Sequence, residues 1–186
     1  FIYKEFSKIK IIKNDNIKKT SKSKSKSKSE KEIIHINCSK IKKVVTSNLP
    51  IDISKKIDNK ILKKILSENW LEQKVAIETI IKIIDEANMN ILPNGLNDLL
   101  SVINSKLNNS CKESIKLLFI NLLSKLIESL KNNFKIYSSE IAVSLINNLS
   151  DKNENIRNEI QLCFDKWVKF VGIDSLVIYF PPFLKN

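Results

Sequence analysis

The sequence predicts an all-α chain: an α-solenoid of stacked antiparallel helix hairpins, preceded by a disordered basic N-terminal segment. Three observations carry this reading. From about residue 58 onward, apolar residues recur at helical spacing through one segment after another. Only 2 Gly and 4 Pro occur in 186 residues, and several of them fall between the periodic segments, where breakers belong. The helix junctions also repeat: 66-LSENW-70, 107-LNNSC-111 and 149-LSDKN-153 begin with leucines spaced 41 and 42 residues apart.

Residues 1–46 are read as a leader or linker, and 47–186 as the folded domain. The leader holds fourteen Lys against Glu5, Asp15, Glu30 and Glu32, which accounts for ten of the formal net charge of +12. Its centre, 20-TSKSKSKSKSEKE-32, cannot bury apolar surface and repels itself, so disorder is expected there. Lys22, Lys24, Lys26 and Lys28 then form either a solvated linker or a basic electrostatic arm. The following IIHIN could pair as a short strand. Because the chain begins at Phe1 rather than Met, it is read as a fragment of something longer.

At residues 48–54 the stretch NLPIDIS is an extended lead-in, since the residue before a proline is biased away from helix. Asp58 can cap a short helix to about residue 67 that carries Ile61, Leu62, Ile65 and Leu66. A second helix over 70–87 places Ile77, Ile80, Ile81, Ile84 and Ala87 at helical spacing. Pro93-Asn94-Gly95 punctuates, and a third helix over 96–108 follows with Leu99, Leu100, Val102, Ile103 and Leu107. The fourth, 112–131, is apolar on more than one face and should lie between neighbours. After Asn132-Asn133 come a fifth helix over 137–149 and a sixth over 154–171. Residues 172–186 start another element, stopped by Pro181-Pro182. Hairpins recurring at this period are HEAT-type units, which bury their apolar faces only by stacking. About three units are present, with the start of a fourth.

Composition narrows the function. Cys38, Cys111 and Cys163 are odd in number and far apart, with only His35 beside them in type, so a reducing compartment is expected and neither a zinc site nor a disulfide framework is. No apolar run approaches a membrane span, and the stretch FIYKEFSKIKII at residues 1–12 does not read as a secretory signal, having no sustained apolar centre followed by a small-residue cleavage site. A poised catalytic set, a Gly-rich phosphate loop and a metal-ligand cluster cannot be assembled. The reading is therefore a non-enzyme without cofactor or metal. Trp167, deep in the sixth helix near Cys163, Phe164 and Phe170, is expected in the core. Trp70 opens the second helix at a turn, and two readings stand for it: a local hydrophobic cap, or a partly exposed binding anchor.

Several motifs fall in one order: Pro50-x-Asp52-Ile53-Ser54, Asn69-Trp70, Ile83-Ile84-Asp85-Glu86-Ala87-Asn88, Leu92-Pro93, Leu107-Asn108-x-Ser110, and Leu149-x-Asp151-Lys152-Asn153-x-x-Ile156-Arg157. In this order they resemble a TOG domain, the tubulin-binding HEAT array of the chTOG and Mini spindles family of microtubule polymerases. The resemblance covers about 49–172, the first three of the family's usual six units, and is greatest to the later TOG domains. It implies a tubulin-contacting edge made by the turns within each hairpin. On that edge it places Asn69, Trp70 and Lys74 in the first turn, Ser110, Cys111 and Lys112 in the second, and Lys152, Asn153 and Arg157 in the third. Arg157 is equally read as a brace for its turn. The chain departs from the family where Leu71-Glu72-Gln73-Lys74 stands for Lys-x-Arg-Lys, and Cys111 is also unexpected.

The resemblance implies a module that binds αβ-tubulin or the microtubule, regulates microtubule growth and spindle organisation, and resides in the cytoplasm on microtubules, the spindle or its poles. Other cytoskeletal adaptor proteins are further partners. The alternative is a HEAT-repeat scaffold that never touches tubulin. Specific nucleic-acid binding is not expected, because the basic leader lacks interleaved aromatics and would hold any polyanion.

Overall fold

The structure is a computed structural model that describes residues 49–109 and 111–180. The Lys/Ser arm with Lys22, Lys24, Lys26 and Lys28, the IIHIN segment, Ser110 and Pro181-Pro182 lie outside the described residues. Helices α1 (Asn59–Leu66), α2 (Trp70–Glu86), α3 (Asn97–Asn108), α4 (Glu113–Leu130), α5 (Ser138–Asn148) and α6 (Glu154–Phe170) follow in chain order, with a final short α7 (Asp174–Val177). Each boundary matches the periodicity to within a few residues. Asp58 caps α1 by accepting from Ile61 N at 2.9 Å, as its position before the apolar run suggests.

Helices α1 and α2 pack together, as do α3 with α4 and α5 with α6. Between hairpins, α1 meets α3 and α3 meets α5, whereas α2 meets α4 and α4 meets α6. Two layers result, first helices in one and second helices in the other. In the second layer α4 is central, which explains its broad apolar surface: Ile115, Phe119, Ile120, Leu122, Leu123, Leu126, Ile127 and Leu130 are all buried. Ion pairs cross this layer on its outer side, Asp85 to Lys125 at 2.5 Å and Glu128 to Lys166 at 3.1 Å.

The connections between hairpins are structured rather than slack. Ile51 of the lead-in makes a parallel bridge with Ile91, with Ile51 N donating to Asn90 O at 2.9 Å and Leu92 N donating to Ile51 O at 3.0 Å. Gly95 then turns the chain into α3 at φ +67°, where an added Cβ would lie 2.7 Å from Ser54 Cβ. Both the left-handed backbone and the close approach require glycine. Gly95→Ala is expected to lower stability by roughly 1–3 kcal/mol, read as an earlier midpoint in urea unfolding.

The second connection differs from the sequence expectation. Instead of a break at Asn132-Asn133, a 3₁₀ helix spans Lys131–Tyr137. It is entered through Lys131 at φ 52°. Phe134 and Tyr137 are buried by it, and the Tyr137 hydroxyl donates to Pro93 O at 2.6 Å, fastening this connection to the previous one. Burial of two aromatics outweighs the turn preference of two asparagines.

Candidate functional site

The turns inside the hairpins begin the second helices, and the first and third turns are built by the same local chemistry. Asn69 Oδ1 accepts from Leu71 N at 3.0 Å and Asn153 Oδ1 accepts from Asn155 N at 2.8 Å. Both are N-caps, so these oxygens are engaged by their own helices. In the second turn the cap position is Lys112, which has no oxygen to offer and makes no side-chain cap bond.

Four residues after each cap stands a side chain that holds the turns in place. Gln73 is buried, and its Nε2 donates to Ser67 O at 2.5 Å across the first turn. Arg157 Nη1 donates to Asp151 O at 2.8 Å and Lys152 O at 3.0 Å across the third. Between them Lys116 reaches forward from the second hairpin to Asp151 Oδ2 at 2.7 Å. Gln73 thus braces the first turn as Arg157 braces the third. This accounts physically for an uncharged residue at position 73, since it faces inward. Arg157 likewise points at backbone carbonyls of its own turn. In sequence only Arg157 reads as a brace; the signal that joins Gln73 and Lys116 to it is the fixed spacing of four residues from the cap.

Asp151 is the hub of the third turn. Its Oδ1 also accepts from Asn153 N at 2.9 Å. The hydrogen bond from Lys116 is the main reason its carboxyl is held below the usual carboxylate range. A carboxyl lowered on folding stabilises the fold above its unfolded value of about 4, and that contribution is lost as pH falls through the lowered folded value. Lys116→Met is expected to cost about 1.5–3 kcal/mol near neutral pH. In urea unfolding across pH, the gap between variant and parent should close below about pH 4; a gap independent of pH would show that the ion pair is not its source.

A polar seam joins the first helices of the second and third hairpins near these turns. Asn108 Nδ2 donates to Ser144 Oγ at 2.8 Å, the Ser144 hydroxyl donates to Asn104 Oδ1, and the buried Asn148 Nδ2 donates to Leu107 O at 3.1 Å. These residues look like loop or surface types in sequence, and only the packing of α3 on α5 reveals their partners.

Outward from this frame stand the residues free to meet a partner. Trp70 is 46% exposed, and Lys112 Nζ lies 4.1 Å from its ring centroid, bringing the first and second turns together. Lys152 is exposed at the third turn. Lys74 is turned along its own helix to Glu78 at 3.8 Å. Cys111 is half-buried, with Sγ 3.6 Å from Lys106 O. Loss of solvent pushes its thiol up, so it is a poor nucleophile near neutral pH. A second charged feature lies on α1 and the turn before it, where Lys55, Lys56, Lys60, Lys63 and Lys64 are all exposed.

No family model matches the chain. The protein MOR1 of rice, Oryza sativa subsp. japonica, is 26% identical over 128 residues, which are 69% of this chain and 6% of that protein. Among solved structures, a chain from work on the structural basis of microtubule plus end tracking by XMAP215, CLIP-170 and EB1 superposes with a TM-score of 0.67 at 17% identity, over 77% of this chain and 59% of that one. The chain therefore spans a small part of the rice protein and less than two thirds of the structural neighbour. With hairpins stacked in two layers, the described residues form a HEAT-repeat solenoid, the fold shared with this structural neighbour.

Proposed function

We propose that this chain is a tubulin- and microtubule-binding module of a microtubule-associated protein that regulates microtubule growth, acting without covalent catalysis. The turn edge is the binding surface, with Trp70 as anchor and Lys112 and Lys152 as its basic contacts. Asn69, Asn153 and Arg157 shape the edge from behind. One observation carries the reading: an indole left open at a turn, beside a lysine of the next turn, on a solenoid that buries its other tryptophan completely. Likeness to MOR1 and to a chain concerned with microtubule plus end tracking supports the partner class. The site of action is then the cytoplasmic microtubule cytoskeleton, including the spindle and its poles.

Residues 1–46 act as a basic arm attached to the module of 47–186. Their Lys/Ser run adds salt-sensitive attraction to an acidic lattice, and linkage to further weak sites would raise occupancy through effective concentration. A scaffold for other cytoskeletal adaptor proteins is the second reading. The exposed Leu71 and Glu72 beside Trp70 favour it, because they give the first turn an apolar and acidic character.

Size-exclusion co-migration of the 186-residue chain with unpolymerised αβ-tubulin, at low and at moderate salt, separates the two. Complex that persists at moderate salt is expected, since the arm's attraction is screened there while an anchored contact is not. A well-folded chain that never co-migrates would overturn the tubulin reading in favour of the scaffold.

A further inference from the structure

We infer that Trp70 and Lys112 act as a single composite contact, and that it takes an Asp or Glu carboxylate flanked by apolar surface on the protein the turn edge holds. This rests on the turn edge being the binding surface. The two residues come from successive hairpins, and the ammonium stands 4.1 Å from the indole centroid. A cation within about 6 Å of a ring face is held by the ring quadrupole. Lysine side chains at an open surface otherwise sample many rotamers, so the indole restrains this one before any partner arrives.

Among the described residues the charge has no carboxylate partner. Lys74 is paired with Glu78 and Lys116 with Asp151, but among the described residues no carboxylate forms an ion pair with Lys112. The ring face occupies one side of the ammonium and supplies no oxygen acceptor, so its N–H groups remain available to an anion approaching from outside. Beside that anion, the uncovered part of the half-exposed indole offers apolar area. A carboxylate next to a methylene or methyl surface satisfies both at once. A lone carboxylate would leave the indole wet, and a purely apolar patch would strand the ammonium.

Because each residue positions the other, their effects on binding should not be independent. The affinity of the full chain for αβ-tubulin at moderate salt is measured for Trp70→Ala, Lys112→Ala, Lys112→Met and the double alanine variant, with helicity checked by circular dichroism. Each single alanine change is expected to weaken binding by about tenfold or more, and the double variant by no more than about threefold beyond the weaker-binding single. Losses that multiply in the double variant would overturn the composite while leaving the turn edge as the site. Lys112→Met keeps the aliphatic stem on the ring and removes only the charge, so it should bind as poorly as Lys112→Ala; parental affinity would overturn the carboxylate. Unchanged binding in every variant would overturn the turn-edge reading itself.

A second measurement needs no partner. Trp167 is 0% exposed, so acrylamide quenching of the free chain reports Trp70 almost alone. Removing the Lys112 side chain is expected to increase quenching, and an unchanged quenching constant would overturn the ring–ammonium geometry.

Discussion

Trp70→Glu is expected to abolish co-migration with αβ-tubulin at moderate salt while leaving the helical content of the chain unchanged. The substitution spares the fold for local reasons. Trp70 is the first residue of α2, capped by Asn69, and its side chain is 46% exposed. A carboxylate in the first turn of a helix also interacts favourably with the N-terminal end of the macrodipole. Binding suffers twice. The aromatic area that would be buried against the partner is gone, and the new carboxylate can pair with Lys112 and cancel the charge that an acidic partner surface would seek. Buried aromatic anchors cost at least about 2 kcal/mol when truncated, and a reversed charge adds to this, so affinity should fall by more than about thirtyfold. Parallel circular dichroism and titration of tubulin binding check the two halves of the expectation. Retained affinity with intact helicity would return Trp70 to a local packing role.

The contrast between what the sequence showed and what it hid follows from the range of the forces involved. Helices, caps and the repeat were legible because they depend on neighbours within a turn or two: the apolar period of Ile77, Ile80 and Ile84, the cap at Asp58, and the junctions beginning at Leu66, Leu107 and Leu149. The 3₁₀ helix at Lys131–Tyr137 was not legible, because Asn132-Asn133 signals a turn locally while Phe134 answers to α6. Gln73 read as a lost charge until its bond to Ser67 O placed it inside the turn. At the edge, the partly exposed Trp70 was one of two readings. Its meeting with Lys112 depends on how one hairpin stacks on the next, and the spacing of 42 residues within an approximate repeat does not fix that to an ångström. A site assembled from several hairpins inherits this uncertainty, whereas the helices that carry it do not.

Trp167→Ala is expected to have the opposite signature, a large loss of stability. Its ring is fully buried in α6 and stands edge-on to Phe134 at 5.0 Å between centroids. The indole Nε1 donates to Ser175 Oγ at 2.9 Å, and the Ser175 hydroxyl donates to Gly172 O at 2.7 Å. The side chain therefore joins three pieces at once: α6, the 3₁₀ connection, and α7. Truncation leaves a cavity that a close-packed interior relaxes only in part, at a cost of about 3–5 kcal/mol. A domain stabilised by about 5–15 kcal/mol would lose much of its margin, visible as a lower denaturant midpoint. Trp167→Phe keeps most of the apolar volume and removes the indole N–H, so its smaller loss would isolate the bond to Ser175. Hydrogen exchange should quicken first around Lys131–Tyr137 and Asp174–Val177, which lean on the ring from either side. Exchange that instead quickened evenly through α1 and α2 would mean that Trp167 supports the whole stack rather than the last hairpin. At a temperature where the variant remains folded, tubulin affinity should stay near that of the parent, because Trp70 and Lys112 belong to the first two hairpins. A loss of affinity there would mean that the third turn carries more of the binding than the aromatic anchor does, and Lys152 would become the residue to substitute.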